Sequence, residues 1–244
     1  MTTPVAMLEL QVWAARALIA AGFPGGAVDQ AARLVALSQV AHEESAAAFV
    51  ADLPGIDARD HGVPELGEGG AIDGRGLHAL AVAPGVLDLV CADPAPVVWS
   101  VSASPGAWVL PGLALQGAAR GRAVLAVSPV RAVMAWNDGE GTAFAEAYGE
   151  ACAGLLAAAG FDAAVPANGY CVTAADGIAR KDVCAAASRA VSAADHAAHL
   201  AHLRAEGFAM PRAVWDGITG WGCRMLVPTS DRSKAQAGGD MGEG

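Results

Sequence analysis

Residues 97–138 constrain this chain more than any other stretch. Val97, Trp99, Val101 and Ala103 alternate with Val98, Ser100, Ser102 and Ser104, the period-two pattern of a strand with one partly hydroxylated face. Ser104-Pro105-Gly106 then turns the chain, and residues 108–119 read as a short helix with Pro111 in its first turn. Residues 123–127 and 130–136 follow as strands around Ser128-Pro129, closed by Asn137-Asp138-Gly139. With helical sequence on both sides, this predicts an α+β (mixed) fold. A small central sheet around residues 97–138 is expected to be packed by alanine-rich helices.

On the N-terminal side, Leu8, Val12, Ala15, Leu18 and Ile19 recur at helical spacing up to Gly22 and Pro24. Residues 27–53 read as one longer helix with Leu34, Leu37, Ala41, Ala48 and Phe49 as its inner stripe, and His42, Glu43 and Glu44 on its solvated face. Residues 54–76 form an acidic, glycine-rich loop, of a length found in lids and connectors. Residues 77–91 are helical around an interruption at Pro84-Gly85. On the C-terminal side, residues 142–160 are expected to be a helix running from Thr142 to a stop at Gly160. A strand lies within 165–172, helical composition fills 180–206 up to Gly207, and a last helix opens at Pro211. The whole, 1–244, reads as a single domain: helical 1–53, loop 54–76, mixed α/β core 77–227 and polar glycine-rich tail 228–244.

With 244 residues, 54% of them hydrophobic and 16% charged, the chain has a core to bury, and disorder is excluded for its bulk. Much of the apolar content is alanine, which buries little area per residue and favours self-association, so a homo-oligomer is expected. A formal charge of −10 argues against nucleic acid and against anionic membrane surfaces as partners. Five cysteines without a CxxC pair suit a reducing cytoplasm. The N-terminus lacks the basic segment of a signal peptide, and the longest uncharged run, 94–119, is broken by Pro94, Pro96, Pro105 and Pro111.

Three groups of residues carry possible chemistry. Ser100, Ser102 and Ser104 project from a strand end toward a helix start, where hydroxyls and free amides hold a carboxylate or phosphate. With Asp138 and the basic Arg224, Arg232 and Lys234 they make the expected substrate-binding set for a small anionic molecule. Asp195, His199, His202 and Glu206 share one helix face, within roughly 60° at about 100° per residue, and make the expected metal set. The same spacing also describes ordinary (i, i+4) surface pairs. Cys171, beside the turn Asn168-Gly169, is the thiol expected to be accessible. No GxGxxG, P-loop or GxSxG pattern occurs, so catalytic residues and cofactor stay unassigned.

Two resemblances add to this. Asp60-His61-Gly62, after a helical N-terminus, resembles the Ser-His-Gly stretch of the bacterial malate/lactate dehydrogenases, with Asp in place of Ser. That resemblance implies an NAD(P)-dependent oxidoreductase. Val227-Pro228-Thr229-Ser230-Asp231-Arg232-Ser233 and the glycines after it are similar to the Val-Pro-x-Ser-x-x-Ser ending of a bacterial family of unknown function. The acidic finish of that family is altered here to Gly239-Asp240-Met241-Gly242. Two functions from different classes are therefore expected: a metabolic enzyme acting on a small anionic metabolite, or a non-catalytic binding or partner subunit of an oligomeric assembly.

Overall fold

A computed structural model describes residues 1–57, 62–93 and 95–225. Their fold is α+β. β1 (Thr2–Val5) leads into α1 (Met7–Ala20), followed by α2 (Val28–Ala41) and α3 (Ser45–Asp57). β2 (Glu65–Leu66), β3 (Ala71–Asp73), α4 (Ala79–Ala92) and β4 (Trp99–Ser102) come next. A short 3-10 turn, Ala107–Val109, opens α5 (Leu110–Ala119), with a proline in its first turn as expected. β5 (Val124–Ser128), β6 (Arg131–Asn137) and β7 (Thr142–Tyr148) follow, then α6 (Ala151–Ala158), β8 (Tyr170–Ala174), α7 (Arg180–Ala186) and β9 (Arg189–Val191). α8 (Ala193–Glu206), β10 (Phe208–Pro211) and α9 (Arg212–Cys223) complete the described chain.

The expected central sheet is larger than residues 97–138 alone. Its strand order is β2-β3-β4-β8-β5-β6-β7-β9, antiparallel throughout except for the β3–β4 pair. β1 and β10 form a separate antiparallel pair. One face of the large sheet carries Val124, Ala126, Val133 and Phe144 under α2, α4 and α5. The other carries Leu125, Val127, Met134 and Ala145 under α6 and α7. The approach of α2 to α5 depends on Gly112, where a Cβ would stand 2.4 Å from Ser38 Oγ.

Several stretches differ from the sequence reading: the expected loop 54–76 holds β2 and β3, α4 runs unbroken through Pro84-Gly85, and β9 divides the expected helix 180–206. Two further differences have a cause visible in the hydrogen bonds. Residues 142–148 form a strand, not the start of a helix, because Thr142–Tyr148 pairs residue for residue with Arg131–Asn137. Alanine supplies no strand preference of its own, and the partner strand decides. The long helix over 27–53 is two helices. Gln39 accepts from the Ala46 amide through Oε1 at 2.7 Å and donates Nε2–H to Glu43 O at 2.8 Å, while Ser45 Oγ donates to Ser38 O. These bonds cap the start of α3 from within α2 and hold His42, Glu43 and Glu44 out as a turn. Among the described residues, no helix is long and apolar enough to cross a membrane.

Candidate functional site

That turn forms one wall of a groove. Its C-terminal neighbour Ser45, with Ala48 on α3, faces Trp108 at the start of α5. Ser128, Val130 and Arg131 at the β5–β6 turn and Tyr148 at the end of β7 complete a cavity of about 400 Å³. A second cavity of about 350 Å³ shares Ala107, Ser128 and Val130 with it and continues past Ser104, Pro105 and Asn168. Both lie at one end of the sheet, where β4, β5 and β7 finish and β6 and β8 begin.

Four ionisable side chains line the first cavity: His42, Glu44, Arg131 and Tyr148. The Arg131 guanidinium carbon stands 4.8 Å from the Tyr148 ring centre, and the His42 and Tyr148 ring centres are 6.2 Å apart. Burial, and after it the Arg131 charge, lower the His42 pKa, so the imidazole is neutral and a proton acceptor near neutral pH. Burial and then the neighbouring Glu146 carboxylate push the Tyr148 phenol well above its ordinary value. Glu146 is itself fully buried beneath the groove. Its Oε1 accepts from Arg189 Nη1 at 3.0 Å, and the same nitrogen donates to Ala41 O at 2.8 Å, next to His42.

Trp108 is fixed from behind. Its Nε1–H donates to Asp52 Oδ2 at 2.8 Å, and His78 Nε2 donates to the same oxygen at 2.8 Å. His78 Nδ1 accepts the Leu80 amide at the start of α4, which leaves the proton on Nε2 and sets the tautomer. The ring lies against Gly106, at φ 97°, where any Cβ would meet His78 Nε2 at 2.3 Å.

The expected substrate-binding set is divided by the structure. Ser104 lies beside the groove, but its hydroxyl is buried and donates to Leu77 O at 2.9 Å. Ser100 and Ser102 line a different depression together with Glu65, which pairs with Arg75, and Asp73, which accepts the Arg75 amide. Ala103, at φ 48°, breaks the strand alternation and parts Ser104 from the other two. Asp138 caps the opposite β6–β7 turn, accepting from the Glu140 and Gly141 amides, about 20 Å away at the strand rise. Arg224 ends α9, its guanidinium 3.5 Å from the Trp221 ring centre, on the α1 side of the molecule. Arg232 and Lys234 fall outside the described residues, as do Asp60, His61 and the Val227–Ser233 motif.

The expected metal set does not converge. Asp195 accepts from the Ser192 hydroxyl at 2.6 Å as part of the α8 cap, and His199 Nε2 donates to Val40 O at 3.1 Å, which occupies that nitrogen with a proton. His202 and Glu206 are exposed. Among the described residues no group of three or more His, Cys, Asp or Glu is placed to hold a metal ion. Cys171 is buried rather than accessible, while Cys223 is the exposed thiol. A further cavity of about 430 Å³ at the other sheet end contains Arg122, but Asp176 neutralises it at 2.9 Å.

No family model matches the chain, and no curated protein does. Solved structures do. A dehydrogenase from Sinorhizobium meliloti superposes with a TM-score of 0.61 at 11% identity, over 91% of this chain and 100% of that one. An Escherichia coli protein put forward as a malate/lactate dehydrogenase superposes with a TM-score of 0.60 at 9% identity, over 96% of this chain and 98% of that one. At such identities the likeness is one of fold.

Proposed function

We propose that the chain is a dehydrogenase-type enzyme interconverting the hydroxy and oxo forms of a small carboxylate, with the His42–Arg131–Tyr148 groove as its substrate site. The observation that carries this reading is a cation held over Tyr148 and a neutral imidazole in one cavity, with Glu44 at the same wall as His42, on a fold similar to that of dehydrogenases. Oxidation of a hydroxy acid removes the hydroxyl proton and a hydride from the carbon bearing it. Arg131 binds the carboxylate through its forked N–H groups, and His42 takes the proton. A nicotinamide cofactor, when bound, would supply the hydride acceptor. The second cavity suits such a ring: its walls Pro105, Ala107 and Pro129 are uncharged, and the Asn168 amide stands at its rim. The role expected of Arg232 and Lys234, meeting an anionic substrate, belongs to this proposal.

Thermal denaturation in the presence of NAD(H) or NADP(H), with and without 2-oxo acids, tests it. The expected result is a rise in melting temperature with one cofactor and a further rise with the acid. A shift with the acid alone favours the non-catalytic binding role. No shift with either cofactor ends the oxidoreductase reading.

A further inference from the structure

Of the apolar positions that recur along α1, Leu18 is buried and Ala15 half-buried, while Leu8, Val12 and Ile19 lie on the outer face. The helix buries Leu10, Ala14, Ala17 and Leu18, while Leu8 is 70% exposed, Val12 41% and Ile19 44%. At about 100° per residue, positions 8, 12, 15 and 19 fall within roughly 60° of arc, opposite the buried side. Polar side chains on this face would cost nothing, so three exposed aliphatic side chains in a row with half-buried Ala15, along about three turns, mark a surface that meets something.

The flank of the row says what. Glu9 and Arg16 are both exposed, lie on the same edge of the stripe and stand seven residues apart. Two such helices packed antiparallel about a two-fold axis near Val12 and Trp13 bring Glu9 of each to Arg16 of the partner subunit. A parallel pair sets opposite flanks against each other and makes neither contact. Arg16 is already held over the Trp13 ring, 4.7 Å from its centre, and both rest against Gly222 of α9. The cation is therefore presented at the stripe's edge by a rigid aromatic support, a composition common at interfaces.

We infer that α1 is a self-association surface on which a second copy of this chain docks antiparallel, with Leu8, Val12 and Ile19 of the two copies interleaved and two symmetric Glu9–Arg16 ion pairs. The contact is independent of the groove, which lies at the sheet end under α3 and α5.

Sedimentation velocity of the full chain across a concentration series tests this. The expected result is a monomer–dimer equilibrium that Val12→Glu abolishes without changing the circular dichroism or the melting of the monomer. Glu9→Arg and Arg16→Glu each replace two attractions by two repulsions and weaken the dimer at least about ten-fold. The double variant E9R/R16E recovers it, and an equimolar mixture of the two single variants associates more tightly than either alone. A protein that stays monomeric throughout, a dimer that survives Val12→Glu, or a double variant no better than the singles overturns the inference.

Discussion

Arg131 and Tyr148 face each other across the β6–β7 pair, the first register position of β6 against the last of β7, with the guanidinium over the ring. This stacking aims the cation along the groove, where a substrate carboxylate would meet it. Arg131→Gln keeps much of the side-chain volume but removes the charge. The expected outcome is a loss of about 10- to 100-fold in affinity for a small carboxylate, read by calorimetry, from one charge-assisted hydrogen-bonded contact. Arg131→Lys recovers only part, because a point charge lacks the fork.

Stability should fall on mild acidification. His42 and His196 both have lowered pKa values, by burial first in each case, followed by Arg131 for His42 and by His199 for His196. In the unfolded chain these groups titrate near 6.5, so below that pH the unfolded state binds protons that the folded state refuses. Their contribution is present above about pH 6.5 and is lost as pH falls through the lower folded values. Melting curves at a series of pH values check this, and His196→Gln should flatten the acidic limb; an unchanged limb contradicts the assignment.

Arg189 and Glu146 should be more costly to separate than to remove. Glu146 is fully buried, and Arg189, half exposed, is its counter-charge. Arg189→Met leaves the carboxylate without it and should cost about 3 kcal/mol in urea unfolding. Adding Glu146→Gln should return most of that loss, because the uncompensated charge is gone; a double variant as unstable as the single would contradict the pairing.

Ala103 holds a left-handed conformation at φ 48° to turn Ser104 inward. Ala103→Gly should raise stability by about 0.5 kcal/mol, the relief of strain exceeding the added chain entropy. Ala103→Val should lower it by more than about 1 kcal/mol, since a branched side chain tolerates that conformation poorly. Unfolding of the two variants side by side decides the sign.

The legible part of the fold is the part whose signals are local. β4, α5, β5 and β6 lie close to their expected positions because apolar alternation, Pro111 and the turns at Ser104 and Ser128 act over a few residues. β7 is illegible because three of the seven residues of Thr142–Tyr148 are alanine and the strand takes its conformation from β6. The break between α2 and α3 contains neither Gly nor Pro and is made by the side chains of Gln39 and Ser45. This same break conceals the site. His42 reads as one more polar residue on a solvated helix face until the helix ends beneath it. Arg131 and Tyr148, 17 positions apart, meet only through the register of two strands, one of them unread. Of the residues expected to bind substrate, Ser104 lies beside the groove, but its hydroxyl is committed to Leu77 O.

In the proposed reaction one groove binds a carboxylate through Arg131 and moves a proton through His42. Steady-state oxidation of reduced nicotinamide cofactor with a panel of 2-oxo acids, compared among the unaltered chain, Arg131→Gln and His42→Gln, tests it most directly. The expected results are turnover by the unaltered chain, a raised KM with Arg131→Gln, and a lowered kcat at similar KM with His42→Gln. Folded protein that turns over no 2-oxo acid with either cofactor, or turnover indifferent to both substitutions, would contradict it.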